Sequence, residues 1–245
     1  NNLIGNINMG SIAMGVAGHE IWHSNPDFYY KYGGGPVLDM GPYYFTALVN
    51  LLGPAKSVYS QSRTVYKKRV IGSGNRKNEE VEVDIPTTLV SQIEFESGAL
   101  IDSFFSFDTW KHNKNHIELY GDKGSINIPD PNTFGGSIQI CTEKNGKWKT
   151  IPTNEKNLGK ININRSEKTN ENPGIANYRG IGVSEMVDSI KHKKLNRCSG
   201  QLSLHVLDIL DTIIKSAKEE KKLDLRSSVN EVKYFSEEEN IKLLI

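Results

Sequence analysis

The feature that most constrains this chain is a run of short, turn-linked segments between residues 87 and 151. Residues 87–95 alternate apolar and polar side chains, Ser97-Gly98 supplies a hairpin turn, and residues 99–107 run back. Residues 116–120 and 125–128 are separated by Gly121-Asp122-Lys123-Gly124, and 137–141 and 147–151 by a stretch holding Asn145-Gly146. Linkers this short leave no room for crossover helices, so the spacing predicts an antiparallel meander. Residues 3–14 and 57–66 read as further strands. Apolar side chains at helical spacing, including Leu38, Phe45, Leu48, Val49 and Leu52, place a helix over 37–52 that Gly53-Pro54 stops.

Two more helical patterns close the chain. Over 176–192, Ile181, Met186, Val187 and Ile190 form the expected inward face. Over 199–218, capped by Ser199, the inward set is Leu202, Val206, Ile209, Leu210, Ile213 and Ile214. A helix, many strands and two helices give an α+β fold: a large open, mostly antiparallel sheet with helices packed on one face. Residues 67–80 are charged and hold Gly72-Ser73-Gly74, so they read as an exposed loop with a flexible hairpin tip. Residues 152–172, rich in Asn and Lys, read as a long surface loop, and residues 226–245 as a charged, loosely docked tail.

At 245 residues the chain can bury a sizeable core. Thirty basic and 29 acidic residues balance, which argues against nucleic acid or an anionic membrane as partner. No apolar stretch is long enough to span a bilayer. Only Cys141 and Cys198 are present, far apart, so no disulfide framework is expected and a reducing, cytoplasmic setting is. The chain starts at Asn1 without a signal-peptide pattern, the start expected of a fragment or processed form.

Most of the chemistry-bearing residues lie in the first fifth of the chain. Gly33-Gly34-Gly35 lets backbone approach a ligand closely, and Pro36 leads into the helix that carries Asp39 and Tyr43 four residues apart, on one face. A carboxylate beside a phenol at such a loop suits a substrate hydroxyl. Upstream, His19-Glu20-Ile21-Trp22-His23 fits H-E-x-x-H. That spacing holds zinc only on a helix, and Gly15, Gly18 and Ser24-Asn25-Pro26 leave barely one turn, so no metal is expected. Two readings of this segment stand side by side. In one, a polar loop presents His19, Glu20, Trp22 and His23 to a sugar; in the other, a buried Trp22 anchors the loop. Tyr178 and Arg179, ahead of the first closing helix, bind either a substrate oxyanion or a carboxylate of the fold. His205 reads as a core-edge residue, and Asp108 and Trp110 as side chains presented at a strand end. No G-x-G-x-x-G occurs, so no dinucleotide-binding half is visible.

The stretch Gly33-Gly34-Gly35-Pro36-Val37-Leu38-Asp39-Met40-Gly41-Pro42-Tyr43 resembles the glycine-rich, Asp-containing motif of the Gfo/Idh/MocA oxidoreductases, which include glucose–fructose oxidoreductase and inositol dehydrogenase. Leu48-Val49-Asn50-Leu51-Leu52-Gly53-Pro54, Glu118-Leu119-Tyr120-Gly121-Asp122-Lys123-Gly124-Ser125 and Ser199-Gly200-Gln201-Leu202-Ser203-Leu204-His205-Val206-Leu207 extend the resemblance. It implies that residues 1–245 are the C-terminal substrate-binding and dimerisation domain, and that a Rossmann domain outside this chain carries NAD or NADP and the usual catalytic lysine. Gly33, Gly34 and Gly35 would then lie near the cofactor. Asp39 matches the active-site aspartate. Tyr43 stands where many members have a catalytic histidine, and a phenol of ordinary pKa about 10 is a poorer proton carrier than an imidazole. The implied substrate is a sugar, cyclitol or related polyol, and the implied assembly a homo-oligomer formed through the open sheet face; the fragment alone would be inactive. The alternatives are a non-catalytic sugar-binding or dimerisation module, and a zinc hydrolase using His19, Glu20 and His23.

Overall fold

The computed structural model describes residues 3–153, 157–163, 175–230, 236 and 238–239. Parts of the expected surface loop and of the charged tail lie outside them. The strands are β1 (Ile7–Gly15), β2 (Ala55–Arg63), β3 (Lys68–Val70), β4 (Glu80–Glu82), β5 (Thr88–Phe95), β6 (Leu100–Ser106), β7 (Ile117–Gly121), β8 (Ser125–Ile128), β9 (Ile138–Cys141), β10 (Lys149–Ile151) and β11 (Leu223–Asp224). Strands β5 to β10 lie within a residue or two of the expected segments, β1 starts four residues later and β2 ends three earlier than expected, and β3, β4 and β11 fall outside every expected strand. The helices are α1 (Asp27–Tyr30), α2 (Pro36–Leu52), α3 (Ile181–His192) and α4 (Gly200–Glu219).

The main sheet has nine strands in the order β10-β9-β8-β7-β1-β6-β5-β2-β11. The meander is interrupted. β1 lies between β6 and β7, parallel to β6 and antiparallel to β7, with Met9 opposite both Leu100 and Tyr120. Every other pairing in the sheet is antiparallel. Sequence spacing pointed to β6 and β7 as neighbours; the ten-residue link between them is what allows β1 to enter.

Helices α2 and α4 cover one face. α2 buries Val37, Tyr44, Phe45, Leu48, Val49 and Leu52, and α4 buries Leu202, Val206, Ile209, Leu210 and Ile213. Gly35, at φ +94°, is the N-cap of α2, and Pro36 opens the helix, where its missing N–H costs no bond. The two helices meet at Gly41, where a Cβ would stand 2.5 Å from Leu210 Cδ2. The other face leaves Met9, Tyr59, Val90 and Leu100 exposed.

Two expectations are corrected. α3 turns the opposite way: Met186, Val187 and Ile190 face solvent, Ile190 at 74% exposure, while Glu185 and Ser189 are buried. The reason is polar. Glu185 accepts from the Arg197 backbone N–H at 3.1 Å, from Arg197 Nη1 at 3.3 Å, from Ser189 Oγ at 3.2 Å and from Asn196 Nδ2. A buried carboxylate goes where its donors are. Residues 67–80 are not simply an exposed loop. β3 and β4 form a small second sheet that buries Arg69 and Val81, and Ile71 beyond β3 is fully buried. Its tip is docked: the Gly72 N–H donates to Glu20 O at 2.8 Å and Ser73 Oγ to Trp22 O at 2.7 Å.

His205 lies in the core rather than at its edge, with no exposed surface. Its Nε2 accepts from the Ala55 N–H at 2.9 Å, so the ring proton sits on Nδ1 and is directed at Ser227 Oγ, 3.0 Å away. Ser227 Oγ in turn donates to Asp208 Oδ2 at 2.8 Å. Burial lowers the His205 pKa, opposed by Asp208 and, more weakly, by Glu96. A histidine depressed in the fold contributes stability above its unfolded pKa of about 6.5, and that contribution is lost as pH falls through the lower folded value. Urea midpoints should therefore drop from pH 6.5 toward pH 5, and His205→Gln should flatten that segment of the profile. Equal slopes for both proteins would remove His205 as the cause.

Candidate functional site

The parallel pairing of β1 with β6 sends both strands out at the same end of the sheet. The Val16 N–H donates to Ser106 O at 2.9 Å and the Thr109 N–H to Val16 O at 3.0 Å, so the loops that follow the two strands stay joined. At this end Gly18 leads into a 3-10 turn over His19–Ile21. The His19 N–H donates to Tyr30 Oη at 3.0 Å, and the Tyr30 hydroxyl donates to Glu20 Oε2. Burial first, then the Glu20 carboxylate, pushes the Tyr30 pKa well up and keeps that proton in place. Glu20 Oε1 accepts from Arg69 Nη1 at 2.9 Å, and Arg69 Nη2 reaches Asp108.

His19 and Asp39 come together. His19 Nε2 lies 3.0 Å from Asp39 Oδ2. A carboxylate only accepts, so His19 donates from Nε2 and its Nδ1 is the bare nitrogen, buried and without a partner. The imidazole is held by Tyr29 at 4.2 Å and Phe107 at 4.6 Å between ring centroids, with Trp22 edge-on at 5.5 Å. The Asp39 side chain keeps 28% of its surface, against 12% for His19. The carboxylate is thus the outer member of the pair and the imidazole the inner one. Asp39 sits in the first turn of α2, where the helix dipole favours a negative charge. Tyr43 follows one turn later and is exposed.

Other candidates sort differently. Trp22 is 60% exposed, so it is not a buried anchor; Glu20, Tyr30 and Arg69 anchor the turn. Glu20 is buried and its oxygens are taken by Tyr30 and Arg69, which turns it from a ligand-facing group into a structural one. His23 packs on Trp22, Phe28 and Tyr29, and its Nδ1 accepts from the Asn25 N–H at 3.1 Å. The H-E-x-x-H segment therefore points its three side chains at three different partners. Among the described residues no cluster of three His, Cys, Asp or Glu is arranged to hold a metal. Tyr178 donates to Lys160 O at 2.8 Å and Arg179 Nη2 to Asn132 O at 2.9 Å, so both are engaged by backbone carbonyls and not by His19 or Asp39. The glycines also divide. A Cβ on Gly34 would strike Phe28 O at 2.2 Å, and one on Gly35 would press on Ile85 Cδ1 at 3.1 Å, so both are needed for the chain's own packing. Gly33, at φ +90° with open space beside it, is the one left bare.

Sequence reasoning missed Arg69, Tyr29, Tyr30 and Phe107. Nothing in the sequence singled out Arg69: Lys68-Arg69-Val70-Ile71 pairs two charged with two apolar residues, so the alternate burial of β3 is not visible there.

A family model for the GFO/IDH/MocA C-terminal domain matches residues 1–127, just over half of the chain. The chain belongs to the GFO/IDH/MocA family. Solved structures share the fold of this family member at low identity. An NAD-binding oxidoreductase from Klebsiella pneumoniae superposes with TM-score 0.70 at 16% identity, covering 93% of this chain and 61% of its own. Levoglucosan dehydrogenase, in its apo form, gives 0.70 at 18% with the same coverages. The WlbA dehydrogenase from Bordetella pertussis, solved with NADH and UDP-GlcNAcA, gives 0.57 at 17%, covering 91% of this chain and 56% of its own. The chain thus spans about three fifths of the length of these proteins. No curated protein matches it. Among the described residues, no helix is long and apolar enough to cross a membrane.

Proposed function

We propose that residues 1–245 are the substrate-binding lobe of a nicotinamide-dependent oxidoreductase that acts on a sugar, cyclitol or related polyol. The observation that carries this reading is the His19–Asp39 pair: a half-open carboxylate braced from behind by a buried imidazole, in a family of oxidoreductases. NAD or NADP would be held mainly by a nucleotide-binding lobe outside this chain. Of this chain's residues, Gly33 offers the bare backbone that a flat nicotinamide ring could approach. When bound, that ring supplies the hydride acceptor or donor.

The residues of this chain handle position and proton. His19 occupies Asp39 Oδ2, which leaves Oδ1 for a substrate hydroxyl. As the carbinol carbon loses hydride and becomes a carbonyl, its hydroxyl proton passes toward Asp39 Oδ1. The Nε2–H of His19 keeps the carboxylate oriented and balances part of its charge. Tyr43 lies on the same side of α2 and binds a neighbouring hydroxyl. Trp22 and His23 wall the approach. The test is reduction of NAD or NADP by the protein carrying both lobes, offered a panel of sugars and polyols. Cofactor-dependent turnover is expected, and its absence across the panel would leave a pure binding module.

We also infer that the open sheet face joins two copies. Met9 lies beside Leu100 in the β1–β6 register, and Val90 and Tyr59 lie on neighbouring strands of the same exposed face. Side chains of this kind in one patch mark association sites. Val90→Lys should halve the mass seen by light scattering at micromolar protein. An unchanged mass would place any interface elsewhere.

A further inference from the structure

A second opening lies on the other side of the His19–Ile21 turn, lined by Ala17, Glu20, Ile21, Tyr66, Arg69 and Trp110, with Lys68 at its side. It measures about 450 Å³, large enough for a sugar ring. We propose that it is a subsite for a second pyranose ring, so that the preferred substrate is a glycoside or disaccharide rather than a free monosaccharide. This rests on the oxidoreductase reading of the Asp39 site and extends it.

Two observations converge. First, Trp110 is 88% exposed and its indole takes part in no ring contact among the described residues. Ile21 and Tyr66, also exposed, share the opening. An aromatic plane beside aliphatic surface matches the C–H face of a pyranose. Second, the inner wall is polar but already neutralised. Arg69 is paired with Glu20 and Asp108, and Lys68 with Glu80 and Glu82. A phosphate or carboxylate would find no free cation there, whereas a neutral polyhydroxylated ring needs none.

The opening and the catalytic pair share one turn. Glu20 and Ile21 face the opening, and His19, directly before them, faces Asp39. A substrate with one ring at Asp39 and a second at Trp110 would pass over the exposed side chains of Ile21 and Trp22. A monosaccharide would reach only the first position.

The experiment is calorimetric titration of this chain with glucose, galactose, cellobiose, maltose, lactose and gentiobiose, for the wild type, Trp110→Ala and Asp39→Ala. At least one disaccharide should bind tenfold or more tightly than either monosaccharide. Trp110→Ala should remove that advantage while leaving monosaccharide affinity within twofold, and Trp110→Phe should restore most of it. If disaccharides bind no better than monosaccharides, or if Trp110→Ala leaves their affinity unchanged, the subsite is overturned and the Asp39 site stands. Failure of every sugar to bind would overturn the subsite as well. The oxidoreductase reading is then judged separately, by turnover of the two-lobed protein. Asp39→Ala separates the two sites: it should weaken monosaccharides and disaccharides by the same factor.

Discussion

Arg69→Met should cost about 3–5 kcal/mol of stability, because it leaves two carboxylates buried without their counter-ion. Arg69 is 4% exposed at its side chain, Glu20 10% and Asp108 6%. Asp108 also accepts from Thr87 Oγ1 at 2.6 Å and from Thr88 Oγ1 at 2.7 Å, so it cannot swing out to water without breaking those bonds. For a chain of this size the loss corresponds to a fall in melting temperature of roughly 10 °C. Arg76→Met is the matched control. Arg76 also bridges two carboxylates, Asp27 and Glu79, but at the surface, where solvent screens the pair. Its melting curve should stay close to wild type. Equal shifts for the two variants would mean that the Arg69 network is not a buried one. The network joins the turn after β1, the small β3–β4 sheet and the loop after β6, so its loss should also loosen the turn that carries His19.

Asp39→Asn, in protein carrying both lobes, should lower kcat by about 10²–10⁴-fold, the range supplied by a positioned proton-transfer group. Asparagine keeps an oxygen that can accept from His19 Nε2, and the site is partly open, so the melting temperature should hardly move. The pair of readouts matters: lost turnover with an intact fold assigns Asp39 to chemistry, whereas full turnover would remove it from the mechanism. His19→Gln should produce a smaller loss of kcat. It removes an imidazole that orients the carboxylate from behind but keeps a donor in its place. Tyr43→Phe should act mainly on KM, since among the described residues the exposed Tyr43 makes no hydrogen bond that positions another side chain.

Much of the architecture is legible in the sequence. Period-two alternation over 87–95 and 99–107, with Gly98 at φ +86° in the turn between them, specifies a hairpin locally. The bounds of α2 follow from Pro36 at its start and Gly53, at φ +84°, at its end. The motif around Asp39 was equally readable, because the glycine loop and the helix start adjoin in the chain. Long-range choices were not readable. The entry of β1 between β6 and β7 pairs Met9 with Leu100 and Tyr120, far along the chain, and no neighbour in sequence reports that. The reversal of α3 has a similar cause: helical periodicity marks an apolar stripe, but Asn196 and Arg197 decide that the side bearing Glu185 is the one turned inward.

The amino-acid order by itself determined the class of fold, the extent of most elements, the glycine loop and the aspartate that follows it. These depend on contacts between residues a few positions apart, where periodicity, turn chemistry and helix punctuation act directly. Tertiary structure alone decided that His19 braces Asp39, that Glu20 serves the fold instead of a ligand, and that Arg69 on β3 ties the turn after β1 to the loop after β6. Each of these pairings spans 10 or more positions in the chain, and a charged side chain in a polar segment has the same local pattern whether it ends in water or against a buried partner.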